Sequence, residues 1–141
     1  MKQWYINRIR QRLGAHFRAN CQRIEPDRMR LGEMRYNFQC HLNAAHCATV
    51  DPRLQVVLCY CVSSEGGAFL HVINRDRQGH YIDNTLGYDY ADHDYYFVKV
   101  VSKSSYPRIV QWFDGIRRDF IGLHGRVWLC RLLNIQPVDV F

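Results

Sequence analysis

The stretch Leu54-Gln55-Val56-Val57-Leu58-Cys59-Tyr60-Cys61-Val62 constrains this chain more than any other. Its nearly unbroken apolar and β-branched character predicts a strand covered on both faces. Such a strand needs neighbours on its edges, and they follow at once. Ser63-Ser64-Glu65-Gly66-Gly67 reads as a hairpin loop, and Ala68 to Asn74 as a second strand with Phe69, His71 and Ile73 on one face. Arg75 to Gly79 makes another hairpin, leading into a third strand, His80 to Asn84. An acidic and aromatic loop with Tyr88, Asp89, Tyr90, Asp92 and Asp94 precedes a fourth, Tyr95 to Val101.

Helical patterns bracket this meander. Trp4, Ile6, Ile9, Leu13 and Phe17 recur at helical spacing over residues 3–20, with Gly14 weakening the pattern. Pro26 ends that helix. A connecting segment with Met29, Leu31 and Met34 follows, with room for a short second helix. After Ser105-Tyr106-Pro107, the apolar set Ile109, Val110, Phe113, Ile116 and Phe120 predicts a C-terminal helix, and Val127 to Leu133 one last helix or strand. The expectation is an α+β fold: N-terminal helices, a central antiparallel sheet of about four strands, then a C-terminal helix.

At 141 residues the chain reads as one domain, 1–141, with a basic helical region (1–35) packed on a core (36–141). Hydrophobic residues make up 48% and charged ones 23%, which excludes a disordered composition. No apolar run is long enough for a membrane span, and the N-terminus lacks a signal-peptide pattern. The expectation is a cytoplasmic protein without a membrane partner, its cysteines thiols rather than a disulfide framework. Residues 1–35 hold nine basic and three acidic residues, whereas 36–141 hold ten of each. The net charge of +6 therefore sits in the first quarter of the chain. Arg8, Arg10, Arg12 and Arg18 of the first helix are candidates for binding nucleic acid or an acidic protein partner, or form a solvated helix face.

The chemistry-bearing stretch runs from Tyr36 to Cys47. The small and apolar residues Ala44, Ala45, Cys47 and Ala48 after Cys40 predict a short buried helix, with Cys40 in its first turn. Unpaired N–H groups and the helix dipole lower a thiol's pKa there. His71 and Asp83 lie downstream in consecutive predicted strands. If the hairpin turn is centred on residues 76–78, His71 stands directly opposite Asp83 on one sheet face, within reach of its side chain. Cys40 as nucleophile, His71 as base and Asp83 as the group that orients the imidazole form a set for thiol-based acyl chemistry. Asn37, in preference to Gln39, or the Cys40 N–H is the candidate oxyanion donor, and Asn43 and Asn84 are candidates for hydrogen bonds around the site.

A metal site is the chemical rival, from Cys40-His41, His46-Cys47 and Cys59-x-Cys61. Cys40 and His41 diverge by about 100° around a helix, and a C-x-C pair in so apolar a strand is ordinary core. The reading therefore takes no metal and no cofactor.

The order Cys, His, Asp on helix start, strand and next strand, with Gly79-His80-Tyr81-Ile82-Asp83-Asn84-Thr85 around the acid, resembles the papain-like cysteine enzyme superfamily. The likeness covers residues 36–100 and is greatest to the transglutaminase-like and arylamine-acetyltransferase-like branches. It differs in placing His41, not an aromatic carbocycle, directly after the cysteine. The resemblance implies a papain-like fold. It also implies amide or isopeptide hydrolysis, or acyl transfer, on a protein or peptide substrate or a small acyl or amide substrate. Cys40, His71 and Asp83 would carry the reaction. The alternative is a non-enzymatic binding or modulator protein that works through its basic N-terminal helix.

Overall fold

A computed structural model describes residues 1–33 and 37–141; Met34 and Tyr36, named above, lie outside the described residues. Helix α1 (Lys2–Asn20) leads into two short strands, β1 (Gln22–Arg23) and β2 (Met29–Leu31), separated by a 3₁₀ turn at Pro26–Arg28. Helix α2 (Cys40–Val50) is followed by β3 (Gln55–Ser63), β4 (Ala68–Arg75) and β5 (Tyr81–Asp83). A 3₁₀ segment, Gly87–Asp92, precedes β6 (His93–Val100), and another, Lys103–Arg108, runs into α3 (Ile109–His124). Helices α4 (Val127–Leu132) and α5 (Pro137–Val140) complete the chain. None of the described helices is long and apolar enough to cross a membrane.

The fold is α+β, with a mixed sheet of six strands in the order β1-β6-β3-β4-β5-β2 rather than an antiparallel sheet of four. The stretch between the first helix and Cys40, including the segment expected to connect or to form a short second helix, supplies both edges. Its β1 pairs antiparallel with β6, and β2 pairs parallel with β5. Extended pairing was not legible there because each strand is only two or three residues long. This connectivity curls the sheet. Flat, the outer strands would stand about 24 Å apart. The chain between them reaches about 20 Å even fully extended.

Strand β3 lies at the centre and is buried on both faces, which is why its sequence is continuously apolar. One face, with Val56, Leu58, Tyr60, Leu70 and Val72, packs on the helices through Ile6, Ile9, Leu13, Phe17, Ala44 and Phe113. The other carries Val57, Cys59, Cys61, Ile73, Tyr81 and Tyr95, closed over by Ile24 and Met29. Helix α1 buries Tyr5 rather than Trp4, which is 61% exposed beneath the Arg8 guanidinium. Trp4 falls one position outside the stripe, whereas the Tyr5 hydroxyl accepts a hydrogen bond from the Arg126 N–H at 2.6 Å.

The β4–β5 hairpin closes one residue later than expected. Asn74 pairs with Ile82 and Arg75 with Tyr81, so the turn is centred on Gln78. Gly79 supplies the left-handed conformation (φ 87°) that this turn needs. His71 therefore does not stand directly opposite Asp83. The shift preserves parity, and the two remain on one face as diagonal neighbours.

Candidate active site

Cys40 opens α2, as expected from the small, apolar residues behind it. The helix lies against β4 next to the short β5, where β4 has unpaired backbone to offer. The Val72 N–H is one such group, and it donates to the Cys40 thiol. Residue parity then puts the His71 side chain on the opposite sheet face from Val72, the face it shares with Asp83. Exposure falls along the series, at 7% for Cys40, 2% for His71 and 0% for Asp83. The sulfur is the outer end of the chain of groups and the carboxylate the buried end.

Nε2 of His71 lies 2.8 Å from Oδ2 of Asp83. A carboxylate this deep in the protein needs every lone pair satisfied. Oδ2 also accepts from the Tyr95 hydroxyl at 2.7 Å, and Oδ1 accepts from the Thr85 and Leu86 N–H groups at 2.8 and 2.9 Å. Burial works to raise the Asp83 pKa, but the His71 charge and these hydrogen bonds hold it far below the usual carboxylate range. Asp83 is thus an ionised acceptor, so Nε2 carries the proton and Nδ1 is the nitrogen left for Cys40.

The His71 pKa is pulled down by burial and raised well above its ordinary value by the charges of Asp83 and Cys40. Burial likewise opposes ionisation of Cys40. The His71 charge, hydrogen bonds from His41 and His71 and the Val72 N–H outweigh it, lowering the thiol pKa to about 6. Burial pushes the Cys21, Cys61 and Cys130 thiols up instead. Near neutral pH the arrangement favours a thiolate–imidazolium pair.

The remaining predicted positions divide. Asn37 and Asn43 face each other in a reciprocal amide pair, at 3.1 and 3.0 Å, and Asn43 also donates to the Thr85 hydroxyl at 2.9 Å. The Asn37 carbonyl oxygen accepts from the Gln39 N–H at 3.0 Å as well, aided by a left-handed turn at Phe38 (φ 55°). Asn37 is therefore engaged in anchoring the α2 entrance. The Gln39 side chain, exposed at the helix cap, makes no hydrogen bond among the described residues, and the Cys40 N–H lies in the first turn. Asn84 points to the other sheet face from Asp83, donating to Asn74 at 2.8 Å and accepting from the Glu33 N–H at 3.0 Å. Asn74 in turn donates to the Ala44 carbonyl at 2.9 Å, a buried relay that pins α2 to the sheet.

The basic arginines of α1 do not form one face. Arg10 donates to the carbonyls of Val140 and Asp139, and Arg12 to that of His124. Arg8 and Arg12 flank one cavity, Arg10 and Arg18 another. Among the described residues no three His, Cys, Asp or Glu side chains converge as a metal site.

Two participants gain their roles only in the structure. Tyr95, at the start of a predicted strand in a tyrosine-rich stretch (88–96) that could line a cleft mouth near Asp83, is brought to the carboxylate by the register that sets it beside Cys61 on the His71 face. Asn74 is an amide within an apolar strand, a poor strand former that needs a partner.

No protein-family model matches the chain, and neither a curated protein nor a solved structure matches it.

Proposed function

We propose that this protein performs thiol-dependent acyl chemistry, hydrolysis or transfer at an amide or isopeptide, as a compact papain-like domain. The observation that carries the reading is the single imidazole of His71, held by a fully hydrogen-bonded Asp83 at Nε2 and turned to a low-pKa thiol at Nδ1. Desolvated thiols ordinarily have raised pKa values, and a purely structural cysteine needs no partner of this kind.

In this reading the Cys40 thiolate adds to the substrate carbonyl carbon, and the oxyanion is received by the Cys40 N–H and the Gln39 side chain. The imidazolium of His71 gives its Nδ1 proton to the leaving amine as the C–N bond breaks, leaving a thioester on Cys40. Water or an acceptor amine then attacks the thioester while neutral His71 takes its proton, and the sulfur departs as thiolate. Asp83 keeps the imidazole oriented throughout and stays ionised.

The test is iodoacetamide labelling against pH, read for each cysteine by mass spectrometry, in the parent and in His71→Ala. The expected result is that Cys40 labels fastest, with an apparent pKa near 6, and loses that advantage in His71→Ala. Labelling of Cys40 only on unfolding, or at the same rate without His71, overturns the reading.

A further inference from the structure

Away from the thiol, α1 and the β3–β4 hairpin enclose an open cavity of about 720 Å³. That volume suits a small organic ligand. Three basic side chains line it, Arg10, Arg18 and His93, and no Asp or Glu side chain does. Arg18 has neither an ion pair nor a hydrogen bond among the described residues. Arg10 is anchored at Nε and Nη2 by the carbonyls of Val140 and Asp139, at 3.0 and 2.9 Å, which fixes its charge at the cavity wall. His93 Nδ1 donates to the Asp89 carbonyl at 2.7 Å, which leaves Nε2 available.

The second observation is Tyr60. Its ring is stacked on Phe17 at 4.3 Å and the residue is only 2% exposed, yet its hydroxyl makes no hydrogen bond among the described residues. The ring is buried, whereas the hydroxyl itself opens onto the cavity beside Arg18, where a ligand can reach it. A Cβ added at Gly14 would lie 3.2 Å from the Tyr60 hydroxyl oxygen and 3.3 Å from Arg18 Nη2. Gly14 thus keeps open the notch between them, at a cost of about 1 kcal/mol in helix propensity relative to Ala.

We infer that this cavity binds an organic anion, with a phosphate or carboxylate group received by Arg18, Arg10 and the Tyr60 hydroxyl. The apolar body of the ligand lies on Phe69 and Phe141, which line the same space. A guanidinium supplies forked donors that match either oxyanion. None of Cys40, His71 and Asp83 lines the cavity, although Phe69 packs edge-on against His71, and the inference does not depend on the function proposed for the thiol.

Phenyl phosphate, benzoate and inorganic phosphate, titrated into the full chain and followed by calorimetry and amide chemical shifts, test this. At least one aromatic anion is expected to bind saturably, more tightly than inorganic phosphate, with shifts at Gly14, Tyr60 and Gly66–Phe69. Whichever of phenyl phosphate and benzoate binds more tightly identifies the anionic group. Arg18→Gln, an exposed position whose loss spares the core, should weaken binding tenfold or more. Tyr60→Phe and Gly14→Ala should weaken it severalfold, and Cys40→Ser should leave it unchanged. Absence of saturable binding up to about 10 mM, or affinity unaltered by Arg18→Gln, overturns the inference.

Discussion

His71 and Asp83 meet on a diagonal of the sheet, Nε2 to Oδ2 at 2.8 Å, two residues out of direct opposition. The diagonal leaves Oδ1 of Asp83 turned toward the chain that follows it, where the N–H groups of Thr85 and Leu86 are waiting. The carboxylate is therefore fastened by its own loop before it orients the imidazole. Asp83→Asn keeps an oxygen for those two N–H groups but presents an amide to His71. The expected outcome is a folded protein in which Cys40 alkylation at pH 7 slows at least tenfold and its apparent pKa moves up toward that of an ordinary thiol.

Tyr95 donates to the same carboxylate oxygen as His71 does. Burial, with the charges of Cys61 and Asp83, raises its own pKa, so it remains a neutral donor at every working pH. Tyr95→Phe removes one of four hydrogen bonds to a buried charge, and about 1.5–3 kcal/mol of stability should go with it. Chemical denaturation measures that loss. A parallel upward shift in the Cys40 labelling profile, smaller than in Asp83→Asn, would distinguish a positioning role from packing alone.

The lowered Cys40 pKa and the raised His71 pKa give folding a defined pH signature. Cys40 titrates at about 6 when folded and about 8.5 when unfolded, so its contribution grows as pH rises between those values and is lost as pH falls through the lower one. His71, raised when folded, contributes fully below its unfolded value of about 6.5, and that contribution fades as pH rises through its folded value. In the neutral range the two slopes oppose each other. Cys40→Ser removes the first and leaves His71 raised by Asp83 alone, so part of the opposing slope goes with it. The stability advantage of the parent over Cys40→Ser should widen from pH 6 to pH 8.5, as measured by urea unfolding at several pH values. A constant difference would mean that Cys40 does not change its protonation on folding.

The amide relay from Glu33 through Asn84 and Asn74 to Ala44 holds α2 on the sheet. Asn84→Ala leaves the buried side-chain oxygen of Asn74 without its donor and removes the Asn84 acceptor from the Glu33 N–H, a loss of about 1–3 kcal/mol. Gly32 makes this approach possible, since a Cβ there would stand 2.8 Å from the Asp83 carbonyl oxygen and closer still to the Asn84 side chain. Gly32→Ala should cost about 1–3 kcal/mol by forcing the two segments apart. Denaturation midpoints of both variants check the pair of values, and Cys40 labelling should lose its pH selectivity as α2 loosens.

Periodicity alone determined much of this protein. The apolar continuity of Val56 to Val62, the alternation around His71 and the helical stripe of Ile9, Leu13 and Phe17 each report a local environment that recurs along the chain, so α1, α2, the central strands and α3 were legible. So was the shared face of His71 and Asp83, because parity survives a shift of two residues. Only the tertiary structure decided the edges, where β1 and β2 are too short to show a period and exist because β6 and β5 offer them unpaired backbone. The partners of Asp83 were decided there too. Tyr95 reaches it through the pairing of β6 with β3, and the Val72 N–H reaches Cys40 because β5 stops short. Those contacts depend on register and on where a neighbouring strand ends, quantities set by the packed whole rather than by any window of residues.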